Sequence, residues 1–154
     1  MPSNKSEASH PIQFFTERGG QALTDRAIQK LRPWLSAIAA DYGTQLTAIN
    51  YIFCGDEYLH NLNLQYLNHD TLTDIITFPL SPPPSITADL FISTERVADN
   101  ALQLGQTYHQ ELCRVMIHGV LHLCGLSDKA TEAAAAMRQA EDKALARLAV
   151  DELD

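Results

Sequence analysis

The segment from Leu112 to Leu123 (LCRVMIHGVLHL) admits few placements outside the interior of a folded domain. Apolar residues stand at Leu112, Val115, Met116, Ile117, Val120, Leu121 and Leu123, nearly all round a helix of 3.6-residue period. A helix without a polar face has to be covered by other elements. Yet this one carries His118 and His122, one turn apart on the same face. Imidazoles held against a core or cleft need polar partners. A histidine pair at this spacing is common on helices that bind nothing, but the apolar flanks favour one shared metal ion, which would satisfy both rings.

The residues that follow complete the set. Gly125 offers the left-handed conformation that ends a helix, so the chain can turn back and bring Asp128 to the same ion. Two neutral imidazoles and one carboxylate suit Zn(II), one ion per chain, and leave a coordination position for water, which separates a catalytic site from a closed structural one. Cys124, two residues past His122, points to the opposite side of the helix and belongs to the core. In the metalloprotease pattern H-E-x-x-H the glutamate is the general base. Here its place holds Gly119, so a protease mechanism of that type is excluded.

The rest of the chain supplies elements to cover this helix. Ile12 to Thr16, Thr44 to Phe53, Asp74 to Leu80 and Ala88 to Ser93 read as strands. A helix capped by Thr24 or Asp25 runs to about Tyr42, with a kink or division expected at Pro33. Asp56 can cap a helix through Tyr66, Thr94 begins another, and Thr107 with Gln110 forms a capping box for the helix from Tyr108 to Cys124. Ser81 to Ser85 (SPPPS) is a stiff loop, and an Ala-rich helix spans about Thr131 to Val150. Strands mixed with helices, then helices alone, predict an α+β (α/β-like) single domain over residues 12–150. One small mixed β-sheet would pack against helices, with the metal site on the buried helix and the turn after it. Residues 1–11 are polar and are expected to be a flexible N-terminal tail without an export signal.

Charge and cysteines narrow the setting. The net charge of −8, with 11 Lys and Arg in 154 residues, speaks against a wholesale electrostatic nucleic-acid binder, though a small basic patch is compatible with it. No stretch reaches the roughly 20 apolar residues that span a bilayer, so no membrane association is expected. Cys54, Cys113 and Cys124 are odd in number and sit among apolar residues. They read as free thiols of a reducing cytoplasm.

With these residues in hand, the chain resembles the bacterial YbeY family over about Ile52 to Leu145. The family signature H-G-x-L-H-L-x-G stands here as HGVLHLCG, His118 to Gly125. Leu62-Asn63, the run Thr73-Asp74-Ile75-Ile76-Thr77-Phe78, Ala88-Asp89-Leu90, and Met137 with Glu141 match further family patterns. Three positions depart from them: Asp128 stands where many members carry a histidine ligand, Leu67 where they carry an arginine, and Ala88 where they carry a glycine. The resemblance implies a single-strand-specific, metal-dependent endoribonuclease acting in ribosomal RNA maturation and ribosome quality control. Its partners would be ribosomal RNA and the small ribosomal subunit. An assembly factor with a mainly structural metal, or a hydrolase of another phosphoester, are the alternatives.

Under that reading His118, His122 and Asp128 act through the metal, and His69 either touches substrate or is a solvated loop residue. Arg26 and Lys30, four apart on the first helix, form either a phosphate-facing stripe or a solvated face. Lys129, next to Asp128, is a further candidate for substrate, as are Arg96 and Arg114. Asp74 either orients the site or serves a turn. Asp89, Arg138 and Glu141 are expected to be structural, the last two by pairing with neighbouring helices.

Overall fold

A computed structural model describes residues 10–67 and 73–153. The expectations for the tail up to residue 9 and for His69 lie outside them. Four strands, β1 (Ile12–Thr16), β2 (Gln45–Cys54), β3 (Ile75–Pro79) and β4 (Ser85–Ser93), form one sheet in the order β1-β2-β4-β3. β1, β2 and β4 run parallel, and β3 pairs antiparallel with β4 across the proline-rich loop. The domain is α+β with a mixed sheet.

Alternation explains how the sheet is covered. Along β4, Ile86, Ala88, Leu90 and Ile92 turn to the core, and along β2, Ile49, Tyr51 and Phe53 do the same. Helices α1 (Asp25–Asp41), α3 (Thr94–Leu104), α4 (Tyr108–Leu123) and α5 (Thr131–Leu145) join this core, while α2 (Asp56–Leu67) covers a second, smaller cluster built on Cys54, Leu59 and Ile76. Helix α4 contacts α1, α3, α5, β3 and β4, which accounts for its lack of an apolar-free face. From the sheet, the buried Tyr51 hydroxyl donates to the Met116 carbonyl of α4 at 3.0 Å. Tyr51→Phe is expected to cost about 1 kcal/mol, the net worth of one such bond, read as a lower melting temperature with metal content unchanged.

Several boundaries follow from local chemistry. Thr24 caps α1 through Ala27 N–H, and the Thr107–Gln110 capping box of α4 is present in both directions. Gly125, at φ 108°, turns the chain after α4. Other elements differ from the sequence reading. Pro33 does not divide α1, which is continuous across it. Asp56 does not cap α2: its carboxylate is taken by Ser93 and Arg96, and the Asp56 N–H is met instead by Glu95 from α3. β4 starts at Ser85, because that stretch pairs with β2, and α5 ends at Leu145 with a short 3-10 turn at Val150–Glu152 beyond it.

Candidate metal centre

Helix α4 places His118 and His122 with their rings 4.5 Å apart. The loop after Gly125 returns Asp128 to them, with its Oδ2 at 3.4 Å from His118 Nε2 and 3.5 Å from His122 Nε2. Tetrahedral zinc, with its ligand atoms at roughly 2.0–2.1 Å, spaces those atoms roughly 3.3 Å from one another. The donor set therefore fits one divalent ion, and all three donors lie within 4.8 Å of one another. The side chains of His118, His122 and Asp128 are 24, 35 and 40% exposed, so the cluster faces solvent on one side and has room for a further ligand.

A second set of residues orients the first. Glu141, buried on α5, lies 2.6 Å from His118 Nδ1. With the Nδ1 proton held there, Nε2 keeps its lone pair towards Asp128 and the ion. The same carboxylate accepts from Arg114 at 2.9 Å, and Arg114 also donates to Asp142 at 2.7 Å. The Glu141 hydrogen bond raises the His118 pKa against burial, with Asp128 and Asp74 adding to the rise. Burial alone would raise Glu141, but the bonds from His118 and Arg114 bring it below the usual carboxylate range. Burial likewise raises Asp74, which lines the cavities on both sides of His118.

The glycine between the histidines has a packing reason. A Cβ at Gly119 would lie 2.5 Å from Leu90 Cδ2 and 3.0 Å from Ile75 Cδ1. The helix is seated so closely on β3 and β4 that a side chain there would have to displace the ends of Leu90 and Ile75. Gly119→Ala is expected to cost about 1–3 kcal/mol, since an overpacked core has to shift Leu90 and Ile75. A thermal melt at equal metal load checks this.

The cations are dispersed. Lys30 pairs with Glu152 at 3.2 Å and lines a cavity with Trp34 and Arg147, not those beside the metal cluster. Arg26, on the same helix, is exposed and also lines neither of these cavities. Arg96 is taken by Asp56 and Asp99, and Arg114 by Glu141 and Asp142. Lys129 is exposed beside Asp128 and sends its backbone N–H to Ser127. Asp89 accepts from Asn50 across the sheet at 3.0 Å. Glu141 does pair, with Arg114 and with His118 of the candidate metal cluster. Arg138, expected to pair with a neighbouring helix, is exposed and makes no ion pair among the described residues, though it attracts Glu111 of α4; Arg114 engages the carboxylates of Glu141 and Asp142.

Glu111 was not visible as a site residue in the sequence. It lies seven residues before His118, two turns away on the same face of α4, and is 6% exposed within the cavity beside the metal cluster. A charged residue on that face of a buried helix was the available signal.

Known proteins extend these observations. The family model described as Endoribonuclease YbeY matches residues 14–149, which adds β1 and α1 to the stretch recognised from motifs. An Endoribonuclease YbeY of Flavobacterium johnsoniae is 47% identical over 132 residues, covering 86% of this chain and 89% of that protein. Its namesake in Bacteroides thetaiotaomicron is 46% identical over 135 residues, covering 88% and 97%. The solution structure of TM1509 from Thermotoga maritima shares the fold, with a TM-score of 0.61 at 24% identity over 88% of this chain and 90% of that one. A match along nearly the whole chain, joined to the HGVLHLCG helix and its returning aspartate, places this protein in the YbeY endoribonuclease family.

Proposed function

We propose that the protein is a single-strand-specific endoribonuclease that uses one zinc ion, held by His118, His122 and Asp128, to hydrolyse phosphodiester bonds during ribosomal RNA maturation in the cytoplasm. The observation that carries this reading is the open three-donor cluster, with its donors within 4.8 Å, in a chain of the YbeY family. The names of the relatives support the endoribonuclease activity.

An ion bound there supplies Lewis acidity to a phosphoryl oxygen or to a water molecule. The remaining work falls to the chain's own groups. Glu141 fixes the His118 ring and its tautomer, and the exposed edges of His122 and Asp128 leave substrate a way in. With Gly119 mute, Asp74, which lines the same two cavities as His118, is the candidate to accept a proton there. The three cysteines, all free, accord with a reducing compartment.

The test is cleavage of a single-stranded ribosomal RNA fragment by metal-loaded protein, beside a fully paired duplex of the same sequence and a chelated control. Cleavage of the single strand alone, with unprocessed ribosomal RNA accumulating in cells that lack the protein, is the expected result. Intact RNA in every arm, despite stoichiometric metal, would overturn the reading. If the protein sediments with small ribosomal subunits even when Asp128→Ala has removed the metal, and no RNA is cut, the assembly-factor reading replaces it.

A further inference from the structure

Beside the metal cluster, between α4 and α5, lies a cavity of about 330 Å³. His118, Asp128 and Asp74 line it, and so do Glu111 and Arg138. The volume is at the lower end of those that hold small ligands, roughly 300 Å³ upward. Two of these residues lack a close partner, although Arg114 and Arg138 attract the Glu111 carboxyl from beyond ion-pair distance. Glu111 is 6% exposed, yet its carboxylate has no hydrogen bond or ion pair among the described residues. Arg138 is exposed and has no ion pair among them either. The other arginine of the cavity, Arg114, is already neutralised by Glu141 and Asp142.

A carboxylate that opens into a cavity without a hydrogen bond is available to accept one, and a guanidinium outside ion-pair distance of any carboxylate is a ready fork for phosphate oxygens. Together they match the two ends of a nucleotide: an anionic backbone group, and a ribose hydroxyl or base N–H that donates. On the opposite side of His118, the cavity containing Asn63, Leu67 and Thr77 has no cationic lining residue among the described ones. Among the described residues that line the cavities beside the metal cluster, Arg138 is thus the arginine that no carboxylate holds within ion-pair distance.

We propose that this cavity is a nucleotide subsite of the RNA strand, in which Arg138 grips a backbone phosphate flanking the scissile one and Glu111 accepts a hydrogen bond from the same nucleotide. The inference rests on the endoribonuclease reading above and adds the strand's path to it. No bond is made or broken in the subsite, so its residues act on binding and leave the chemical step alone.

The experiment compares metal-loaded wild type, Arg138→Gln, Arg138→Lys, Glu111→Leu and Lys143→Gln. It reads kcat and KM on a short single-stranded oligoribonucleotide at several salt concentrations, with metal content and melting temperature beside them. Arg138→Gln should raise KM about tenfold, shift kcat less than about twofold, and make the salt dependence of log KM shallower by roughly 0.7 per decade, the weight of one phosphate contact. Arg138→Lys should recover most of the affinity. Glu111→Leu should raise KM about tenfold while leaving the melting temperature level or higher, since it removes a carboxyl that makes no hydrogen bond and whose ionised form burial disfavours. A purely structural glutamate would lower the melting temperature instead. Lys143→Gln, an equal loss of charge on the same helix away from the cavity, should stay within about twofold. Unchanged KM and salt slope in Arg138→Gln, or unchanged KM with a lower melting temperature in Glu111→Leu, overturns the subsite while cleavage by wild type keeps the endoribonuclease reading standing. Failure of wild type itself to bind or cut the RNA overturns both.

Discussion

Exchanging His122 for alanine is expected to strip the divalent ion from the purified protein and to lower RNA cleavage by roughly 10³-fold or more. Three side-chain donors leave no redundancy: His118 and Asp128 alone, facing solvent, form an incomplete pair. The ion's share of transition-state stabilisation is several kcal/mol, and each 1.4 kcal/mol is about tenfold in rate. The fold should survive, because His122 projects from α4 towards solvent while the core residues around it are untouched. Elemental analysis, a melting curve and a cleavage assay on one preparation read the three effects together. Because an ion that binds only the folded chain stabilises it, His122→Ala and the chelated wild type should melt at nearly the same temperature. A variant that keeps stoichiometric metal and full activity would remove His122 from the ligand set.

Glu141→Gln should lower metal affinity by about 10- to 100-fold, the usual cost of losing the partner that orients a ligating histidine. The amide has no charge to hold the His118 Nδ1 proton at 2.6 Å, so the ring loses both its fixed tautomer and part of its basicity. Arg114 loses one of its two carboxylates and keeps Asp142, so the guanidinium is not stranded. A competitive chelator titration measures the affinity, and saturating metal should restore most of the cleavage rate. That rescue separates an orienting residue from a ligand: in His122→Ala excess metal should not restore it. Wild-type affinity in Glu141→Gln would mean that the contact to His118 has no bearing on the ion.

The strands, the helices and the ligand trio were legible in the residues because each rests on local periodicity. A buried helix with two histidines one turn apart, a glycine past its end and an aspartate within reach of the turn can be read in a single pass along the chain. Contacts that depend on where helices land were not legible. Glu141 lies 23 residues from His118 along the chain, and its pairing depends on how α5 crosses α4. Arg138, three positions earlier on the same helix, was expected to pair, but the packing delivered the neighbouring carboxylates to Arg114. The Asp56 N–H is met from another helix for the same reason: Glu95 is brought to it by the sheet that joins β2 and β4.

Position 119 shows the division most clearly. By itself the sequence determined that no glutamate stands between the two histidines, which speaks against a zinc-peptidase mechanism. It also pointed to the His118, His122 and Asp128 cluster, since helical spacing and a glycine turn are properties of a short segment. Only the tertiary structure decided that Gly119 is favoured, because a Cβ there would push against Leu90 and Ile75 from two different strands. It alone decided which carboxylate steadies His118, and that Glu111 and Arg138 share one cavity with the ion's ligands. The physical reason is common to all three. Local sequence dictates which way a side chain leaves its own helix, but what it meets is set by the packing of elements distant in the chain.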